Sequence, residues 1–317
     1  MNSATASLSM LQTISPVDPM ASALLSPETH GEAHGAMPTF CLHHQAICPI
    51  GAAHSGGWVE FLIRGTGAYA GLSPPELVRV GYYNHGAAFD LAVVEQALRL
   101  GRRLHPSTRL GINIHPQSLH QSSFVDSLLR RVLDRPGMAQ RVVLELIEFQ
   151  GAIELKSCRP ALQRLRRHGL RIALDDFGPG FPNLDVMAAG LIDAVKLDRS
   201  LVTDLDHAPL QLQLLSGLVE LAERTGLELV AEGIETISQF ERLRSIGVRW
   251  MQGFLFGRPC PVRPRAAIRP ASPNHMSPTH RSSAPASARP SSKRPVSACP
   301  SRQFPSHTQT NPKEIYP

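Results

Sequence analysis

RVVLELIEFQGAIELKSCRPALQRLRRHGLRIALDDFG, residues 141–178, reads as one strand–helix–strand unit. RVVLELI (141–147) and RIALD (171–175) are short apolar, β-branched runs, and CRPALQRLRRHG (158–169) between them has a helical pattern closed by glycine, a favoured helix C-cap. Units of this kind build a mainly parallel sheet. The second run ends on two adjacent acids, Asp175 and Asp176. Successive side chains of a strand face opposite ways, so the pair belongs where the strand is ending. Two carboxylates brought to one spot repel, and one keeps its proton unless a cation lies between them.

The same alternation extends in both directions. Strand candidates are FCLHHQAI (40–47), WVEFLIR (58–64), RLGINI (109–114), the two runs above, AVKL (194–197), LELVAE (227–232) and WMQGFL (250–255). Helical patterns fall at FDLAVVEQALRLGRRL (89–104), FVDSLLRRVL (124–133), LQLQLLSGLVELAERTG (210–226) and TISQFERLRSIG (236–247). Eight strands with intervening helices predict an α/β fold, a (β/α)8 barrel. The apolar positions of LQLQLLSGLVELAE are expected to pack on the core.

The 317 residues hold this barrel between two tails. Residues 1–37 are rich in Ser, Ala, Pro and Gly without periodicity, and residues 263–317 are rich in Pro, Ser and Arg; both are expected to be disordered, leaving 38–262 for the barrel. Of 32 Lys and Arg and 26 Asp and Glu, nine and one respectively lie in 262–317, so the rest of the chain carries a net charge of about −2. A nearly neutral barrel argues against a specific nucleic-acid binder. Five scattered cysteines without a CxxC suit a reducing compartment and read as structural thiols. With no cationic leader and no apolar run of spanning length, the expectation is a soluble, cytoplasmic protein.

In such a barrel, polar groups where strands end at one rim mark the site. The second strand brings Glu60 and Arg64, the third Asn113, the fourth Glu145 and Glu148, the fifth the Asp175/Asp176 pair, and the last three Lys196, Glu232 and Gln252. A set of oxygen ligands without His or Cys suits Mg²⁺ or Mn²⁺, and two ions bridged by a carboxylate of the pair would neutralise it. Paired divalent ions serve attack of water on a phosphodiester. Arg64 could then grip a phosphate oxygen and Lys196 orient the water. The plainer reading of Lys196 is a structural ion pair with Asp198 or the nearby acids. DFG at 176–178 stands without a glycine-rich loop or HRD stretch, so kinase chemistry is excluded. The histidines, His115 and His120 included, show no zinc-ligand spacing.

EFLIR (60–64), NIHPQSL (113–119), ELIE (145–148), DDFGPG (175–180), KLDRSLV (196–202), AEGIET (231–236) and QGFLFGRP (252–259) resemble, in order and spacing, the EAL-domain phosphodiesterases that hydrolyse bacterial cyclic di-GMP. The resemblance implies a modified barrel whose first strand runs antiparallel to the rest. It implies that Glu60, Asn113, Glu145 and Asp175 hold one ion and Asp175, Asp176 and Glu232 the other, with Asp175 ending its strand and Asp176 opening the loop. Lys196 would position the water and Glu232 accept its proton. Gln45, Leu62, Arg64 and Gln252 would face the substrate, Glu148 and Glu235 would brace the loop after the fifth strand, and homodimerisation is the family's habit. The product would be the linear dinucleotide pGpG; the alternative is a receptor that binds cyclic di-GMP uncut and signals through a partner protein. The chain departs from the family at Pro179, Phe181, Pro182 and Asn183, where hydroxyl-bearing residues are usual, at Gly65 in place of tryptophan, and at Ile147 in place of threonine. None of these changes removes an expected metal ligand.

Overall fold

A computed structural model of the chain describes residues 36–51, 57–146, 155–178, 187–203, 205 and 207–262. The expected disordered tails, apart from residues 36 and 37, lie outside these residues, as do Cys299, Ile147, Glu148 and the loop from Pro179 to Asn183. The strands are β1 (Phe40–Pro49), β2 (Trp58–Gly65), β3 (Arg109–Ile114), β4 (Val142–Leu146), β5 (Arg171–Phe177), β6 (Ala194–Leu197), β7 (Glu228–Ala231), β8 (Trp250–Met251) and β9 (Cys260–Pro261). The helices are α1 (Pro74–His85), α2 (Ala87–Gly101), α3 (Ser122–Leu133), α4 (Arg159–Arg167), α5 (Pro209–Thr225) and α6 (Ile237–Ser245).

Strands β2 to β8 pair in chain order and parallel, while β1 pairs antiparallel with both β2 and β8 and so closes the barrel. The antiparallel first strand agrees with the resemblance. Closure leaves the small β9 as an appendage on β1.

The lumen is built in levels by the two-residue period of the strands. Trp58, Val143, Ala173, Ala194, Val230 and Trp250 form an apolar floor with Ile47. Two residues further along stand Glu60, Glu145, Asp175 and Lys196 on their strands, and Glu232 and Gln252 just past the ends of β7 and β8. The indoles of Trp58 and Trp250 meet edge to face at 6.0 Å, and the alanines opposite give them room. Below, the Arg109 guanidinium lies 5.1 Å from the Trp250 ring, and Arg109 and Arg171 both donate to Glu228 Oε2, at 2.5 and 2.7 Å. A cation over an indole with its charge paired is a stable way to finish an apolar floor.

Helix α1 is absent from the sequence reading. Its signal is the stretch Ser73-Pro74-Pro75-Glu76: the Glu76 carboxylate accepts from the Ser73 amide at 2.8 Å and the Ser73 hydroxyl at 2.6 Å, and proline takes the first helical position. Only Leu77 and Gly81 of this helix are buried, so it shows little apolar periodicity. Helix α5 also departs from expectation. Leu215, Val219 and Ala222 face the core, but Leu210, Leu214 and Leu221 are exposed, so only one of its two apolar faces packs inward. Strand β8 stops at Met251 rather than continuing to residue 255. At Gly253 the chain crosses the backbone of Ile234, and a Cβ there would stand 2.0 Å from Ile234 O. Gly65 has a similar cause, since a Cβ would lie 1.9 Å from Tyr69 O, and the turn after β2 leaves no space for a larger residue.

Asp90 on α2 is buried, and its carboxylate accepts from the Ser118 hydroxyl at 2.6 Å and the His115 amide at 3.2 Å. It thereby ties the turn after β3 to the helix layer. Burial pushes its carboxyl up to about 7, against which the two hydrogen bonds work. The folded chain therefore holds more protons than the unfolded one between the ordinary value near 3.8 and about 7, and stability falls as pH rises across that window. Asp90→Asn can accept the same two bonds without a charge. Its stability relative to wild type is expected to improve from pH 5 to pH 8 by a few kcal/mol at most. Thermal melts at the two pH values check this, and a gap independent of pH would refute it.

Candidate active site

The charged level of the lumen opens where the parallel strands end. Lys196, 1% exposed, lies with Nζ 2.7 Å from Glu145 Oε2, 2.8 Å from Glu232 Oε1, 2.9 Å from Asp175 Oδ1 and 3.4 Å from Glu60 Oε2. Strands β2, β4 and β5 and the residue after β7 thus bring carboxylates to one ammonium. The plainer expectation, a pair with Asp198, is not what forms: Asp198 accepts from Ser200 in the turn after β6. Asn113 donates to Glu60 Oε1 at 2.9 Å, and Gln252 donates to Glu60 Oε2 at 2.7 Å and to Gln45 Oε1 at 3.1 Å. Gln45 in turn donates to Gly257 O, which ties β1 to the segment after β8.

The acid pair is placed by a device that alternation does not foresee. Strand β5 does not end at Asp175; it runs to Phe177 through a bulge in its pairing with β6. Asp176 has φ 53°, the one positive value at a non-glycine residue among the described residues. Aspartate tolerates that left-handed conformation better than most side chains. The bulge removes the strict alternation, and oxygens of Asp175, Asp176 and Glu232 come within 4.8 Å of one another. A second group, Glu60, Glu145 and Asp175, meets the same limit, so Asp175 belongs to both.

Crowding shows in the acidities. Burial, partly offset by Lys196, raises Glu145 well above the usual carboxylate range and brings Glu232 to about 8. Asp175 is raised for the same reason, and Asp176 reaches about 6 through burial and the charge of Asp175. Burial opposes ionisation of Glu60 too, but Lys196, Gln252 and Asn113 together outweigh it and hold Glu60 low. Burial likewise works against the Lys196 charge, and the four carboxylates overcome it. One ammonium faces four acids with Asp176 beside them, a crowding that further cations would relieve.

Asn113 Oδ1, Glu145 Oε1 and Gln252 Oε1 are buried without a hydrogen-bond partner among the described residues, and Asp175 Oδ1 and Glu232 Oε1 meet Lys196 only as ion-pair contacts. Buried, unsatisfied oxygens of this kind are costly unless something electropositive joins them. An all-oxygen donor set in two groups that share an acid fits a pair of hard divalent ions.

A cleft above this level is lined by Gln45, Glu60, Leu62, Glu232 and Gln252, with Arg199 and Phe254 at its edge. Three of the four expected substrate-facing residues are therefore present. The fourth, Arg64, is half-buried and donates to Ile63 O at 2.7 Å; it is not among the lining residues. Arg199 supplies a guanidinium there that the sequence reading passed over, although it lies inside the KLDRSLV stretch. Glu235 pairs with Arg199 at 3.1 Å and so steadies the turn after β6, not a described part of the loop after β5. All four described cysteines are free thiols, Cys48 and Cys158 buried, Cys41 partly buried and Cys260 exposed.

Residues 38–259 match the EAL domain family. The chain belongs to that family. A probable cyclic di-GMP phosphodiesterase of Escherichia coli, PdeA, is 31% identical over 220 residues, 68% of this chain and 30% of the relative. The cyclic di-GMP phosphodiesterase RocR of Pseudomonas aeruginosa is 30% identical over 67% of this chain and 56% of its own length. The EAL chain therefore spans only about 30% to 56% of these curated relatives. Among solved structures, Klebsiella pneumoniae BlrP1 with manganese and cyclic di-GMP superposes with a TM-score of 0.62 at 30% identity, over 71% of this chain and 58% of that one. The phosphodiesterase of PaMucR with cyclic di-GMP gives 0.60 at 25% identity, over 70% of this chain and 92% of that one. None of the helices among the described residues is long and apolar enough to cross a membrane.

Proposed function

We propose that this EAL domain hydrolyses one phosphodiester of cyclic di-GMP to linear pGpG, in the cytoplasm. The observation that carries the reading is the pair of acidic groups joined through Asp175 at the floor of a cleft open to solvent. Glu60, Asn113, Glu145 and Asp175 would hold one divalent ion, Mg²⁺ or Mn²⁺, and Asp175, Asp176 and Glu232 the other. Such a pair would supply charge to neutralise a phosphate and would raise the acidity of a bound water.

The protein's own groups have separable tasks. Water adds to phosphorus as the bond to a ribose 3′ oxygen breaks, so one proton must leave the water and one must reach the departing oxygen. Glu232 lines the cleft and is the acid of the ammonium cluster best placed to take the first proton. Lys196, sealed beneath it, holds Glu232, Asp175 and Glu145 in one array and orients the water from below. Gln45, Leu62 and Gln252 present a mixed polar and apolar wall to the nucleotide, and Arg199 offers a cation to a phosphate oxygen. Arg64 would reach the cleft by giving up its bond to the Ile63 carbonyl.

Incubation with cyclic di-GMP and Mn²⁺, followed by chromatography of the nucleotides, tests the proposal. Hydrolysis to pGpG supports it; tight binding without product would establish a receptor instead. Glu232→Ala is expected to lower turnover by at least 10²-fold while binding of the cyclic dinucleotide changes by less than about tenfold. A variant that cleaves as fast as wild type would remove Glu232 from the proton path.

A further inference from the structure

Gly111 on β3 has no role in the scheme above, yet it touches the site at its tightest point. It stands in register with Glu60 on β2 and Val143 on β4, one level below Asn113. A Cβ on Gly111 would lie 1.9 Å from Glu145 Oε1 and 2.9 Å from the carboxyl carbon. Backbone strain is not the reason for glycine here, since Gly111 is not among the positive-φ residues. The reason is space: the carboxylate of Glu145 leans down from its own level and occupies the volume that any side chain at 111 would fill.

The same point is 3.0 Å from Trp58 Nε1. That indole belongs to the floor, is fully buried, and its N–H has no hydrogen-bond partner among the described residues. Glu145 Oε1 is likewise buried and unpartnered, while Oε2 is held by Lys196. A buried donor and a buried acceptor, each unsatisfied, therefore border one gap that only glycine leaves open. Each alone is costly, and together they complement each other by a small rotation of the carboxylate or through one shared water.

We propose that Gly111 and Trp58 form a seat for Glu145, in which the missing side chain admits the carboxylate and the indole N–H engages Oε1, so that Glu145 is presented to the divalent ion in one orientation. Both are positioning residues that act through Glu145. The inference rests on the metal-dependent reading above and deepens it. Partners of this sort, one step removed from the ion, typically change metal affinity by 10–100-fold.

Calorimetric titration of the full chain with Mn²⁺ alone tests the seat, with thermal melts of each variant as the control for folding. Gly111→Ala is expected to weaken Mn²⁺ binding at least tenfold. Adding Glu145→Asp to it, which withdraws the carboxylate by one methylene and frees the space for the new methyl, is expected to recover part of that loss. A Gly111→Ala protein that binds Mn²⁺ like wild type overturns the proposal. So does a double variant no better than the single, because the damage would then come from the strand and not from Glu145. Should Gly111→Ala not fold, Trp58→Phe decides alone: weakened Mn²⁺ binding at an unchanged Tm upholds the seat, and unaltered affinity overturns it. Wild-type protein that takes up no Mn²⁺ is a different result, since it defeats the metal-dependent reading and the seat with it.

Discussion

Lys196→Met is expected to lower the thermal stability of the barrel sharply and to abolish cleavage of cyclic di-GMP. Removing the one cation that this buried cluster holds among the described residues leaves Glu60, Glu145, Asp175 and Glu232 facing one another, and an uncompensated buried charge costs about 3–5 kcal/mol. For a domain of this size that corresponds to a Tm lower by roughly 6–20 °C. The loss is expected to grow with pH. Lys196 lowers the pKa of Glu145, Asp175 and Glu232 against burial, so without it these acids hold their protons to higher pH than in wild type, and the stability of the variant falls more steeply as pH rises. Mn²⁺ is expected to restore more stability to this variant than to wild type, because it returns positive charge to the same oxygens. Melting curves with and without Mn²⁺ at pH 6 and pH 8 measure all of this. A variant as stable as wild type at pH 8 would mean that the cluster does not depend on its ammonium.

Asp175→Asn is expected to separate chemistry from stability. Asp175 is shared by both acidic groups, so the amide weakens both at once. The expected cost is several kcal/mol of transition-state stabilisation, roughly 10³-fold or more in kcat. Stability should move little. The substitution also relieves repulsion with Asp176 and leaves Lys196 three other carboxylates. Steady-state kinetics beside a melting curve provide the check: a large fall in Tm would assign Asp175 a structural part, and undiminished kcat would exclude it from the site.

Much of the barrel is visible in the chain itself. AVKL and RLGINI coincide with β6 and β3 to the residue because polar or turn-forming residues bound them, and a β-branched run has no other use at that length. The charged level is also legible, since Glu60, Glu145 and Lys196 fall toward the ends of their strands, and the floor of Trp58, Val143 and Ala194 lies one two-residue period before them. What is not legible depends on contacts across strands. No pattern along β5 announces that Asp176 turns left-handed and joins Asp175 in a bulge. The narrowness at Gly111 exists only because β4 lies beside β3. Helix α1 escaped because a capping motif and two buried residues are a faint signal beside the broad apolar stripes of its neighbours. Leu210 and Leu214 misled in the opposite way, since apolar spacing along α5 continues onto a face that has no core to meet.

Among the described residues, the paired indoles of Trp58 and Trp250, with Arg109 and Arg171 fastened under them by Glu228, plug the lumen beneath the charged level. Bulk water is thereby kept from the underside of Lys196 and its acids, so the fields among them are screened from the cleft side alone.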